Sequence, residues 1–315
     1  YFIFHFFPFS YPPFCKTRGD FFSDGNEYWR IRFCNFIILQ LFIKNMLLIR
    51  SLDFNPYFNI ASEDYFFKNF NEDILFLYRD LPSIIIGKHQ NAYKEVNFRY
   101  VRDNSIPVIR RISGGGAVYH DLGNLNFAFI QNKHEGNLSD FEGFTSPILH
   151  YLEYLGIPAK FEGHNDLRVN GKKFSGNAEH IFKNRVLHHG TLLFDANLDN
   201  LRNSLHISDK YIDHAVKSVP SSVINLSEVI KNKISIEEFE NLLFEFLFKE
   251  YSDIKEYILN ENDIEQINNL VATKYSKWEW NYAYFGNYEF RNIIRKDAND
   301  SIRSKDANDS IRSKD

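Results

Sequence analysis

The chain has 315 residues, with 37 Lys+Arg against 41 Asp+Glu, a net charge of -4 and 44% hydrophobic residues. That composition belongs to an ordinary globular chain, long enough to bury a large core without disulfide or metal staples. It excludes a protein whose work is to coat nucleic acid, which needs a concentrated surplus of Lys and Arg, and no apolar run reaches the roughly 20 residues of a membrane-spanning helix.

Residues 1–45 are crowded with Phe, Tyr and Pro and carry neither helical nor strand period. The longest apolar run, Phe36 to Ile43, is broken by Gln40, and the only cysteines, Cys15 and Cys34, have no CxxC or Cys/His ligand spacing. The sequence therefore predicts no disulfide framework, no metal ligands and a reducing compartment. The only methionine, Met46, stands directly before the first ordered stretch, so 1–45 reads as a doubtful extension. A start at Met46 implies a cytoplasmic, bacterial-type protein, whereas a genuine leader would imply a mitochondrion.

Asn55-Pro56 predicts a capped helix running through Ile60, Tyr65 and Phe67 to about Phe70. Ile74 to Asp80 and Ser83 to Lys88 read as two buried strands joined by a tight turn at Leu81-Pro82, and Asn124 to Phe129 alternates like a half-buried strand. Thr145 or Ser146 predicts the cap of a helix with Pro147 in its first turn and Gly156 at its end. Asn170-Gly171 predicts a hairpin, and Ser235 with Glu238 opens a helix through Leu247. The expected fold is α+β, a mixed and mostly antiparallel central sheet flanked by helices. KDANDSIRS, from Lys296 to Ser304, recurs from Lys305 to Ser313 with one isoleucine per unit and cannot bury a core.

Two segments carry chemistry. In RRISGGGAVYHD, from Arg110 to Asp121, three successive glycines imply close backbone approach, exposed amides can hold phosphate oxygens, and Arg110 and Arg111 lie beside them. A plain glycine turn between strands is the competing explanation. It matches neither the P-loop nor the dinucleotide fingerprint. In the second segment Lys173 follows the hairpin and precedes Ser175-Gly176, which suggests an anionic partner. His188 and His189 would face opposite sides of a strand and cannot easily chelate one ion.

Taken together these motifs resemble the lipoate-protein ligase family of the biotin/lipoate ligase superfamily. RRxSGGGxVxHDxGNxxxxF is matched by Arg110 to Phe129, IGxxQN by Ile86, Gly87, Gln90 and Asn91, and KxSGxA by Lys173 to Ala178. HHGTLL is matched by His188 to Leu193, and a WxW element by Trp278 to Trp280. The resemblance covers about 46–282 and implies a class II synthetase-like catalytic fold over 46–260. It also implies a truncated start of an accessory region over 261–293 and a disordered tail from 294.

The implied activity is ATP- and Mg²⁺-dependent conversion of lipoate to lipoyl-AMP. Transfer to a lysine of a lipoyl domain follows, in pyruvate or 2-oxoglutarate dehydrogenase acyltransferase subunits or the glycine cleavage H protein. Neither nucleic acid nor membrane is a partner. The resemblance makes Lys173 the central catalytic residue, with Arg111, Gly116, Ala117, Val118, Tyr119 and Lys173 on the nucleotide. It puts Gly115, His120 and Lys173 on lipoate. Arg110, Ser113, Gly114, Asn91, Asp166, Ser175, Gly176 and His189 stand in support.

Two departures matter. His164 stands where relatives commonly have Arg, and Ser218 to Val223 reads SVPSSV where the family usually reads SVRSRV. The eukaryotic lipoyltransferases share that loss, and some transfer preformed lipoyl-adenylate while activating lipoate poorly. A transferase served by a separate activating protein is therefore one alternative, and an inactive lipoyl-domain-binding protein another. Thioester octanoyltransfer would need a cysteine after Met46, and biotin ligation a GRGRxGRxW-type loop.

Overall fold

The computed structural model describes residues 46–133, 138–205, 211–212, 215–251, 253–284 and 289–290; the aromatic 1–45 segment and the repeat both lie outside these residues. Strand β1 (Met46–Arg50) and helix α1 (Pro56–Asn69) lead to β2 (Asp73–Tyr78), β3 (Ser83–Ile86), the short helices α2 (Ala92–Glu95) and α3 (Phe98–Asp103), β4 (Val108–Arg110), β5 (Val118–His120) and β6 (Asn124–Asn132). Helix α4 (Phe141–Tyr154), β7 (Lys160–Glu162), β8 (Asp166–Val169), β9 (Lys172–Phe182), β10 (Arg185–Leu193), helix α5 (Leu198–Ser204) and β11 (Tyr211–Ile212) follow. The last part comprises α6 (Ile236–Glu250), β12 (Ile254–Glu256), α7 (Glu261–Leu270), a π-helical turn (Val271–Tyr275), α8 (Trp278–Tyr282) and β13 (Glu289–Phe290).

Eight strands form one sheet in the order β12-β1-β2-β6-β10-β9-β8-β7. β1 runs parallel to β12 and β2, and every other pair in it is antiparallel. This is the mixed, mostly antiparallel α+β architecture expected. β4-β3-β5 make a smaller sheet, and β11 pairs with β13. Strand periodicity sorts the core: Leu75 and Leu77 join Phe127, Phe129 and the apolar faces of α4 and α6 on one side. Ile74, Phe76 and Tyr78 meet α1 and Ile267 of α7 on the other.

Three sequence expectations need correction. β2 and β3 are both buried strands, but they do not pair with each other: β2 lies between β1 and β6, whereas β3 joins the small sheet. The buried Asp80 between them accepts from Asn59 Nδ2 at 2.9 Å and pairs with His120 Nδ1 at 2.8 Å, which carries the chain out of the first sheet. β6 is not half-buried. Asn124 and Asn126 are as enclosed as Phe127, because the strand is central and Asn126 faces the cavity described below.

The third correction concerns α4, which starts earlier than Thr145, capped by Asp140 Oδ1 accepting from the Gly143 amide at 3.0 Å. Pro147 is therefore inside the helix, where it cannot donate to the Gly143 carbonyl. Ser146 Oγ donates to that same carbonyl at 2.7 Å and replaces the missing bond. Ser146→Ala is expected to lower the unfolding free energy by about 1 kcal/mol. In a Pro147→Ala background the loss should be smaller, because an amide at 147 can then take the carbonyl; urea denaturation of the four chains measures the coupling.

Candidate active site

Arg110 ends β4 and Arg111 follows it at the start of the glycine loop, and their side chains bond different groups. Arg110 is fully buried. Its Nη1 donates to the carbonyls of Gly87, Lys88 and Gln90 at 3.0, 3.0 and 2.7 Å, Nε to that of Trp280 at 2.9 Å and Nη2 to that of Asn281 at 2.8 Å. Trp280 Nε1 donates back to the Arg110 carbonyl at 2.7 Å, so the WxW element is tied to the loop's stem. Burial pushes the Arg110 guanidinium down to about 10, still charged at neutral pH.

Arg111 works inside the loop. Its donors reach Ser113 Oγ at 2.9 Å and the carbonyls of Ile85, Gly114 and Gly116 at 3.1, 2.5 and 2.8 Å. Gly115 has φ +86°, the left-handed region that favours glycine, and its carbonyl abuts Gly87 so closely that a Cβ there would collide with it. Burial lowers the Arg111 pKa to about 10, opposed by the negative charge of Glu63.

Glu63 comes from α1, as does Asn59 one turn earlier. Glu63 Oε1 accepts from Tyr78 OH at 2.9 Å, and its Oε2 lies 2.7 Å from His189 Nδ1. His189 Nε2 is 2.6 Å from Ser113 Oγ. The Glu63 carboxylate can only accept, so His189 Nδ1 carries the proton between them, and Nε2 of the neutral ring then accepts from Ser113 Oγ, which itself accepts from Arg111. Asp80 holds His120 in the same manner, and burial raises its carboxyl pKa against the opposing bond from His120.

Lys173 enters from β9 beside a bulge: Arg168 pairs with Lys173 but Leu167 with Ser175, leaving Phe174 as the extra residue. The Asn170-Gly171 turn behind it has φ +51° and +72°, as a hairpin of that sequence requires. Lys173 Nζ lies 2.7 Å from Asp166 Oδ1, while Arg168 Nη2 takes Oδ2 at 2.8 Å. The 216–224 segment crosses the mouth. Ser222 O accepts from the Lys173 amide at 2.9 Å, and Ser218 Oγ accepts from the Ala117 amide at 2.9 Å and from Gln90 Nε2 at 3.1 Å.

Between these elements lies a cavity of about 480 Å³. Of the residues expected from the sequence, Arg111, Gly115, Gly116, Ala117, Val118, His120, Asp166, Lys173, Gly176 and His189 line it together. Arg110, Ser113 and Gly114 stand behind the lining, and Ser175 is buried beneath it. Tyr119 packs under the small sheet with its hydroxyl on Asn200, and Asn91 caps α2. His188 packs on the opposite face, against Phe144 and Glu179.

Sequence reading missed Glu63, Tyr78, Asp80, Asn126 and Arg168. The available signal was Asn59 and Glu63 at an i, i+4 spacing on a helix that buries polar and apolar residues alike. Three buried atoms on the cavity wall, His120 Nε2, Asn126 Nδ2 and Asn177 Oδ1, have no hydrogen-bond partner among the described residues, so the wall is prepared for a polar ligand.

A glycine-loop cavity lined by Lys173 and Lys217, with buried arginine clamps and, among the described residues, no nucleophile–base pair open to it, defines a site suited to anions. Residues 55–248 match the lipoyl protein ligase A/B catalytic domain. The chain is 42% identical to lipoate-protein ligase LplJ of Bacillus subtilis over 244 residues, covering 76% of this chain and 74% of that one. Among solved structures it resembles a lipoate-protein ligase A bound with ATP, with a TM-score of 0.64 to 0.65 for this and the next; at 27% identity the first covers 77% of this chain and 99% of that one. The second is the bi-partite lipoate protein ligase of Thermoplasma acidophilum, studied with its E2 lipoyl domain, at 28% identity over 78% of this chain and 98% of that one. The chain belongs to the lipoate-protein ligase family. Among the described residues no helix is long and apolar enough to cross a membrane.

Because Arg110 alone supplies the donors for five backbone carbonyls of two segments, Arg110→Met should lower stability by more than about 2 kcal/mol. Hydrogen exchange in 87–91 and 275–282 should accelerate together. Arg110→Lys should recover little of this, since an ammonium cannot reproduce the planar fork.

Proposed function

We propose that this chain is a lipoate-protein ligase that activates lipoate with ATP and transfers the lipoyl group to a lysine of a lipoyl domain. The observation that carries the reading is Lys173, held by Asp166 at the mouth of a cavity floored by the glycine loop. In the first step a lipoate carboxylate oxygen attacks the α-phosphorus, and the bond to the bridging oxygen of pyrophosphate breaks with its electron pair. In the second, the neutral acceptor amine attacks the acyl carbon, AMP leaves, and the amine's proton passes to solvent. Both steps bring anions or developing anions together, so a positioned cation and rigid amides supply what a nucleophile would elsewhere.

Lys173 Nζ, swinging from Asp166, would lie between carboxylate and α-phosphate. The Gly116-Ala117 backbone would meet the nucleotide once Ser218 yields the Ala117 amide, and Ile60, Ile85, Val118 and Ala178 offer the apolar wall for the acyl chain. His120, with its free Nε2, would offer a polar group to the acyl ligand. Among the described residues no group of three or more His, Cys, Asp or Glu forms a metal cage, and Asp166 is the one carboxylate on the wall. Mg²⁺ therefore fits as a companion of the nucleotide phosphates, with Asp166 as its protein carboxylate, where it would neutralise departing pyrophosphate. The bi-partite T. acidophilum ligase supports an E2-type lipoyl domain as acceptor.

Lys173→Ala should cut the rate of mass gain on a lipoyl-domain acceptor by about 10²- to 10³-fold, read by intact-protein mass spectrometry. A rate within twofold of the parent would overturn the assignment of Lys173.

A further inference from the structure

We propose that Arg168 is a second substrate-binding cation of this cavity, taking the oxygens of the nucleotide's departing pyrophosphate. The proposal rests on the reading that ATP binds here.

The cations on the wall differ in the donors they still have to offer. Arg111 is spent on Ser113, the Ile85 carbonyl of β3 and two loop carbonyls, those of Gly114 and Gly116. Lys217 sits on the exposed stretch of the crossing segment. Arg168 and Lys173 are different. They are opposite each other in the β8–β9 register, grip the two oxygens of one carboxylate, and keep 27% and 25% of their side chains exposed. One carboxylate against two cations leaves a net positive charge facing the cavity, an arrangement that draws a polyanion.

Position then separates their roles. Lys173 projects over Gly176, where a Cβ would come 3.0 Å from both Cε and Nζ. Arg168 turns the other way, to Ser221 Oγ at 3.2 Å and to the Gly171 carbonyl at 3.1 Å. It therefore stands beneath the stretch Ser218 to Ser221 of the crossing segment, whose wall residues carry no charge, Lys217 being that segment's one cation on the wall. A planar guanidinium there matches terminal phosphate oxygens in a fork that Lys173, already assigned to the reacting centre, does not provide. As the α-phosphorus accepts the carboxylate oxygen, the bond to the β-phosphate bridging oxygen breaks and pyrophosphate keeps the electron pair; Arg168 stabilises that charge.

The same contacts would suit a strut that merely pins the hairpin to the crossing segment, so the test compares ligands that differ only in the phosphates concerned. Calorimetric titration of the full chain with ATP and with AMP should show Arg168→Gln weakening ATP about tenfold and AMP less than twofold. Arg168→Lys should recover part of the ATP affinity. Equal loss for both nucleotides, or ATP affinity unchanged in Arg168→Gln, would overturn the proposal, as would a parent chain that binds no ATP. Lipoate-dependent exchange of labelled pyrophosphate into ATP is run in parallel. Selective ATP loss in Arg168→Gln, with no exchange catalysed by the parent chain, keeps the Arg168 subsite and discards the ligase reading.

Discussion

Two buried arginines, adjacent in sequence and bonded to different groups, hold this site in shape. A guanidinium removed from water is costly unless its donors are met, and Arg110 and Arg111 meet theirs largely with backbone carbonyls. The 87–90 turn, the glycine loop and helix α8 thereby become one rigid body around the end of β4. Those carbonyls point at the arginines, which leaves loop amides such as that of Ala117 turned outward. Preorganisation of this sort lowers the reorganisation needed when charge develops on a substrate. The buried charge of Arg111 is answered by Glu63 through Ser113 and His189, so a residue of the first helix takes part in holding a loop nearly fifty positions later.

Much of the local structure was legible because it depends on neighbours in sequence. Asn55-Pro56, Ser235 and Asn170-Gly171 act over one turn of chain, and each does in the fold what its chemistry requires. Elements decided by distant partners were less legible. Nothing near Leu81-Pro82 announces that Asp80 will be captured by Asn59 and His120, so β2 and β3 read as a pair although they belong to different sheets. Pro147 reads as a helix start because the serine that makes it tolerable inside the helix is indistinguishable, in sequence, from a cap. The alternation in β6 is real, but its polar face looks into a cavity and not into solvent.

The site itself divides along the same line. Glycines, Lys173 and the paired arginines stand out as residue types that ordinary packing does not need, and ten expected residues share the cavity wall. The arginines' geometry could not be read, since a charged residue beside glycines suggests a ligand contact, whereas Arg110 is enclosed in protein. Acid residues holding histidines were hidden because their partners lie far away in sequence: Glu63 reaches His189, and Asp80 reaches His120. At rest Asp166 holds both Lys173 and Arg168 and Ser218 holds the Ala117 amide, and both contacts are of kinds that phosphate oxygens can replace.

The central claim is that this rigid loop and the cations opposite it suffice for both activation and transfer, without a nucleophile. Its most direct test is the intact mass of a lipoyl domain incubated with the chain under two conditions, lipoate with Mg²⁺ and ATP, or synthetic lipoyl-adenylate. A lipoyl mass gain is expected in both. A gain with the adenylate alone would contradict the activation half, and no gain in either from folded protein would contradict the whole.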